Sequence, residues 1–210
     1  EHRLTGLQIA EYAGRSLCCL VSRMRSALGP DAPAHVLIVA APGRDGAVAA
    51  VCARLLRKMG VVVDMVAAQP KVNAGHWADV FSTLHKQALL AGVQTADDSV
   101  YFDENTLVVL AAPPSRSIGA SVAAAGALLC VLGVESAAGR ETVGAQVQPT
   151  SFPANILKRA HALAFVSSPL AEAQAVVSRA PRVVYVCDPG YTHASLPDFA
   201  CDGVYAVAEP

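Results

Sequence analysis

Three features of the sequence predict a single α/β domain of the doubly wound kind, with a mainly parallel sheet of six or more strands and helices on both faces. Short apolar runs rich in β-branched residues recur, as in Val36–Ala40, Val61–Val66 and Leu107–Leu110. Such runs lack the alternation of a half-exposed strand and mark strands covered on both faces. Between them, apolar residues fall at three- and four-residue steps, the period of an amphipathic helix. Glycine and proline punctuate the joints, so strand and helix alternate at the spacing of βαβ units with right-handed crossovers.

Residues 7–28 read as a leading helix, with Ala10, Ala13, Leu17, Leu20, Val21, Met24 and Leu28 on one stripe. Gly29-Pro30-Asp31 stops it, because proline cannot continue the backbone ladder. Val36–Ala40 is the first strand, and Pro42-Gly43-Arg44-Asp45-Gly46 reads as a tight turn. A helix from Ala47 to Met59 follows, with Gly60 suited to close it. Val61–Val66 gives a strand, His76–Leu90 a helix, and residues 97–106 a polar loop. Next come strand Leu107–Leu110, a small-residue helix over 117–127 and strand Leu128–Leu132. Residues 135–155, with Gly139, Gly144, Pro149 and Pro153, read as an extended surface segment. His161–Val166, Pro169–Arg179 and Arg182–Cys187 complete the pattern as strand, helix and strand.

The bulk properties narrow the function classes. The 210 residues suit one domain, 1–210, with a full-sized core. Hydrophobic residues make up 53% of the chain, yet no apolar run reaches membrane-spanning length without a polar interruption. A net charge of −1 gives no general attraction to nucleic acid or an anionic membrane. Arg15, Arg23 and Arg25, and likewise Arg54, Arg57 and Lys58, read as solvated helix faces. The six cysteines include no C-x-x-C pair, and Cys52, Cys130 and Cys187 sit in apolar segments as small hydrophobes. A reducing compartment, the cytoplasm, is the expectation. The chain begins at Glu1 without methionine and reads as a piece of a longer protein.

In an open α/β sheet a ligand sits outside the carboxyl ends of the strands, at the switch point. The Gly43-Arg44-Asp45-Gly46 turn is the first such place, where free N–H groups opening a helix favour an anion. It matches neither G-x-G-x-x-G nor a Walker motif. Asp188 follows the last strand and has the best position of any carboxylate, although capping the Asp188-Pro189-Gly190 turn explains it equally well. The histidines at 2, 35, 76, 85, 161 and 193 show no metal-ligand spacing, and no G-x-S-x-G elbow is present. The residues alone assemble no catalytic constellation and no metal site.

Three segments carry a resemblance. Glu11-Tyr12-Ala13-Gly14-Arg15 resembles an E-N-A-G-R segment. Val36–Gly46, running into Val51-Cys52-Ala53-Arg54-Leu55-Leu56, resembles a strand, a G-N-N-G-G-D-G loop and a V-A-R-H-L helix. Val184–Tyr191 resembles a closing strand followed by D-I-G-I-P. These belong to the YjeF N-terminal domain family, Rossmann-like in fold, which includes the NAD(P)HX epimerases and the C-terminal domain of enhancer-of-mRNA-decapping scaffold proteins. The epimerase's S-I-D-I-P-S-G segment, whose aspartate is implied to be catalytic, looks like Val131-Leu132-Gly133-Val134-Glu135-Ser136, with glycine in the acid's place. Its V-D-A-I-F-G segment looks like Val109-Leu110-Ala111-Ala112-Pro113, again without the aspartate. Glycine and leucine can neither give nor take a proton.

The resemblance therefore implies a domain closer to the decapping scaffolds than to the enzymes. It would be a non-catalytic, dimerising member of a cytoplasmic RNA-decay complex, with protein partners, RNA as a further candidate partner, and no cofactor. Two alternatives stay open: an NAD(P)HX epimerase, or a module binding a nucleotide or small metabolite at the Gly43–Gly46 turn. The candidate ligand-binding residues are Gly43, Arg44, Asp45, Gly46, Ser136 and Asp188.

Overall fold

A computed structural model describes residues 4–26, 35–68, 75–125, 127–132, 152, 154–166, 183–187 and 204–208. Its elements, in chain order, are α1 (Gly6–Ser26), β1 (His35–Ala40), α2 (Arg44–Lys58), β2 (Val62–Ala67), α3 (His76–Leu90) and β3 (Gln94–Ala96). They continue with β4 (Thr106–Leu110), α4 (Arg116–Ala125), β5 (Leu128–Leu132), α5 (Ala154–Arg159), β6 (Ala162–Val166), β7 (Val183–Cys187) and β8 (Val204–Ala208).

The strands form one sheet in the order β3-β2-β1-β4-β5-β6-β7-β8. Every pairing is parallel except β7 with β8. The chain winds outward from β1 through β2 to β3, then returns to lay β4 on the other side of β1. That reversal makes the β1–β4 junction the switch point. Backbone bonds fasten the carboxyl end of β1 to both neighbours: Ala111 N–H to the Val39 carbonyl at 2.8 Å on the β4 side, and Ala68 N–H to the Ala40 carbonyl at 2.7 Å on the β2 side.

Successive strand residues point to opposite faces, so each strand feeds two cores. Val36, Ile38 and Ala40 of β1 join Val63 and Met65, Leu107 and Val109, and the buried stripes of α1, α2 and α3. Leu37 and Val39 join Val108, Leu110, Leu129 and Val131 under Ile118 and Val122 of α4 and Ile156 of α5. The apolar runs of β1, β4 and β5 are thus strands buried on both faces, as expected, whereas β2 leaves Val62 exposed on one face. Helices cover both sides of the sheet.

Several element boundaries differ from the sequence expectation. Gly43–Gly46 is not a free-standing turn, because α2 begins at Arg44 with Gly43 as its N-cap. Gly46 is excellent turn punctuation in a sequence, but here tight packing against β1 keeps it helical. The sixth strand begins at Ala162, since His161 is engaged with β5: its Nδ1 accepts from Leu129 N–H at 3.1 Å. Three elements lie outside the expected pattern. β3 is a three-residue edge strand of polar composition, α5 is a six-residue helix that begins right after Pro153 at the end of the segment read as extended, and β8 is the antiparallel edge. The expected helix over Pro169–Arg179 lies outside the described residues.

Candidate functional site

The switch-point crevice is bounded by two strand-to-helix passages. On the β1 side, Ala41-Pro42 leads into Gly43 at φ 156° and ψ 177°, a conformation that side-chain-bearing residues rarely adopt. Its carbonyl accepts the first α2 bond, from Ala47 N–H at 2.9 Å. Three residues on, a Cβ at Gly46 would overlap the carbonyl oxygen of Ala41. Both glycines therefore have a steric cause within the fold, the first for the entry into α2 and the second for its approach to β1.

The charged pair between these glycines sets the electrostatics. Arg44 Nε lies 3.3 Å from Asp45 Oδ1, with the Asp45 side chain only 17% exposed. A carboxylate in the first turn of a helix already complements the positive end of its dipole. Gly43, Arg44, Asp45 and Gly46 thus stand together at the N-terminus of α2, at the carboxyl end of β1.

On the β4 side, Leu110 is fully buried in the second-face core. Beyond it, Ser115 caps α4 by accepting from Ile118 N–H at 3.3 Å, and its Oγ lies 2.9 Å from Ser117 Oγ. A cavity of about 310 Å³ opens beside this helix start, between Pro114, Arg116, Gly119 and the α5 residues Asn155 and Ile156. A larger concavity of about 660 Å³ lies elsewhere, between Tyr101–Glu104 and the α4 residues Ser121 and Ala124. Because topology places ligands at the carboxyl ends of the strands, the smaller cavity is the one relevant to the crevice. Ser136 and Asp188, and with them Gly133 and Glu135, lie outside the described residues.

The described histidines serve the framework. His35 Nε2 pairs with Asp64 Oδ2 at 2.9 Å, and His35 begins β1, at the end of the sheet remote from the crevice. His85 stacks on Phe81 with ring centroids 5.4 Å apart. Among the described residues, no group of three or more His, Cys, Asp or Glu could hold a metal ion. The described part of the chain has no helix long and apolar enough to cross a membrane.

One polar network escaped the sequence reading, which took Arg54 as part of a solvated face. Arg54 Nη2 donates to both Glu11 carboxylate oxygens at 2.7 Å, and Nη1 donates to Gln87 Oε1 at 2.7 Å. The guanidinium therefore joins α1, α2 and α3, and its side chain is 17% exposed. Arg57 is tied down as well, with Nε donating to the Gly92 carbonyl at 3.0 Å. Gly14 completes the α1–α2 contact, for a Cβ there would overlap the Val51 side chain. Glu11, Gly14, Val51 and Arg54 all belong to the segments that carry the family resemblance, and that coincidence was the available signal.

Residues 6–109 match the family described as YjeF-related protein N-terminus. None of the curated proteins matches the chain. Among solved structures, the crystal structure of yeast ynu0, YNL200c, is similar, with a TM-score of 0.66 at 17% identity over 97% of this chain and 90% of that one. At that identity the likeness speaks for the shared fold. With the leading helix, the β1–α2 passage and the Glu11–Arg54 pair all inside the matched region, the chain belongs to the family of YjeF-related N-terminal domains.

Proposed function

We propose that this domain is a non-catalytic member of its family and serves as a dimerising scaffold in a cytoplasmic RNA-decay complex. The family is related to the NAD(P)HX epimerases, whose reaction requires a group that moves a proton at a hydrated nicotinamide. The observation that carries the reading is Leu110. It stands at the carboxyl end of β4, where the epimerase pattern has an aspartate, and its side chain is fully buried among Leu37, Val39 and Leu129. The position has been absorbed into the core. Gly133 stands where the second acid would be. The scaffold role itself is supported by the resemblance to the decapping-scaffold branch, as a fold-level analogy.

Two measurements test the reading together. Light scattering after size exclusion is expected to give about twice the 21.7 kDa of one chain at micromolar concentration. Incubation with one epimer of hydrated NADH is expected to give no exchange above the uncatalysed rate. A strict monomer overturns the scaffold, and clear epimer exchange makes the domain an enzyme. A nucleotide at a hundred times its Kd would add about 2.7 kcal/mol of stability, so a matching thermal shift with adenine nucleotides would favour the binding module instead.

A further inference from the structure

We propose that the concavity between residues 99–104 and the end of α4 is a docking site for a basic, arginine-bearing peptide segment of a protein partner. The concavity measures about 660 Å³. One wall is the loop that enters β4 and the other is the end of α4, which leads into β5. It therefore opens at the amino ends of these strands, away from the switch-point crevice. Tyr101 stands on the loop wall and is 82% exposed, although the next residue, Phe102, is buried in the second-face core. Val100 packs against the same core, so the backbone is anchored on both sides of an outward-facing ring. Asp97 and Asp103 fix the loop further. Asp97 Oδ1 accepts from Ser99 N–H at 2.8 Å, and Asp103 Oδ1 accepts from Asn105 N–H at 2.9 Å. A ring held in this way needs little ordering when a partner lands on it.

Two separate features make the concavity negative. Asp103 and Glu104 line it, and Asp97 and Asp98 immediately precede its first lining residue, Ser99. Residues 87–115 contain these four carboxylates and no lysine, arginine or histidine, in a chain whose net charge is only −1. The facing wall is formed by Ser121 and Ala124, close to the C-terminus of α4, and the last turn of that helix has no basic residue. The negative end of the helix dipole thus points the same way as the side-chain charge.

Arginine matches this lining better than any other residue. Its planar guanidinium stacks on a phenol ring and pairs with carboxylates. Its apolar stem can lie along Val100 and Ala124. A nucleic-acid strand would also stack on Tyr101, but its phosphates would meet four carboxylates with no cation among them. The charge therefore selects a basic peptide. The site is complete within one chain and does not depend on dimerisation.

The experiment titrates the unaltered chain into a fluorescent, end-blocked Gly-Arg repeat peptide and follows the anisotropy. Saturable binding that weakens as salt rises is expected, and a Gly-Ser repeat should not bind. Tyr101→Ala and Glu104→Gln should each weaken binding about threefold, whereas Tyr12→Ala on α1 should leave it unchanged. Amide shifts of the isotope-labelled wild type locate the peptide without any substitution, and are expected at residues 99–104 and 121–124. Light scattering reads the dimer separately, so a monomer that binds the peptide leaves this site standing. Absence of saturable binding overturns the proposal. Equal affinity in wild type, Tyr101→Ala and Glu104→Gln does so too, as do shifts confined to other elements or tighter binding of an oligouridylate at these same residues.

Discussion

Arg54 clasps Glu11 across the α1–α2 junction, its Nη2 lying 2.7 Å from each of the two carboxylate oxygens. Its second terminal nitrogen holds Gln87 of α3, so one guanidinium fixes three helices on one face of the sheet. Charge-assisted bonds of this length are roughly twice as strong as neutral ones. The network is nevertheless incomplete, because Arg54 Nε is buried without a partner.

Arg54→Met keeps the apolar stem and removes the charge, leaving a half-buried Glu11 without its cation. The expected loss is about 2 kcal/mol, from the lost bonds and the stranded carboxylate. Glu11→Gln keeps one acceptor and is expected to lose about 1 kcal/mol. Urea unfolding checks both, with the midpoint falling and the slope unchanged. Equal stability in all three proteins would mean that the pair is screened like an ordinary surface salt bridge.

The two glycines of the β1–α2 passage separate conformational from steric demand. Gly43→Ala strains the backbone at the N-cap and is expected to lose about 1–2 kcal/mol. Gly46→Ala drives a methyl into the Ala41 carbonyl and against Phe81, which forces α2 away from β1. An expected loss above about 3 kcal/mol puts it among the severe overpacking changes. Thermal unfolding should rank Gly46→Ala well below Gly43→Ala, and the reverse order would contradict the close approach.

The same passage shows what the sequence could and could not disclose. Val36–Ala40 is legible as a strand because five successive apolar residues can only be buried on both faces, and the structure buries all five. Leu128–Leu132 is legible for the same reason, and His76–Leu90 by its helical period, which buries Val80, Phe81, Leu84 and Ala88 while the closing Leu89 and Leu90 are exposed. Arg44–Gly46 is misleading, because aspartate and glycine are turn residues by local preference while here they open α2. β3 carries no apolar signal, since Gln94 and Thr95 on an edge strand are exposed. Arg54 looked solvated because its partners lie 43 and 33 positions away, on other helices. Of the candidate site, the structure describes Gly43–Gly46, while Ser136 and Asp188 lie outside the described residues.

Burial holds the His85 imidazole below its ordinary 6.5, with Nε2 buried and unpartnered. As pH falls through that ordinary value, the unfolded chain takes up a proton at His85 before the folded chain can. Stability present above pH 6.5 is therefore lost progressively, until the folded imidazole titrates as well. The wild type should lose more stability than His85→Gln between about pH 7.5 and 5.5. Denaturation midpoints at both pH values give the comparison, and parallel losses would assign the pH dependence to other groups.

Leu110→Asp tests whether the missing acid can be restored. A carboxylate at this position would enter a core formed by Leu37, Val39, Leu129 and Val131, with no charged partner among them. Removing the leucine side chain alone is worth about 2–5 kcal/mol in a packed core. An unpaired carboxylate adds several more, lessened only by its taking up a proton. The total is comparable with the whole stability of a domain. The variant is expected to be unfolded or insoluble at neutral pH, and Leu110→Met to remain folded with a loss below about 1.5 kcal/mol. Circular dichroism of the two proteins makes the comparison. A folded Leu110→Asp with epimer exchange on hydrated NADH would show that the crevice still has room for the chemistry, and would reverse the assignment of this position to the core.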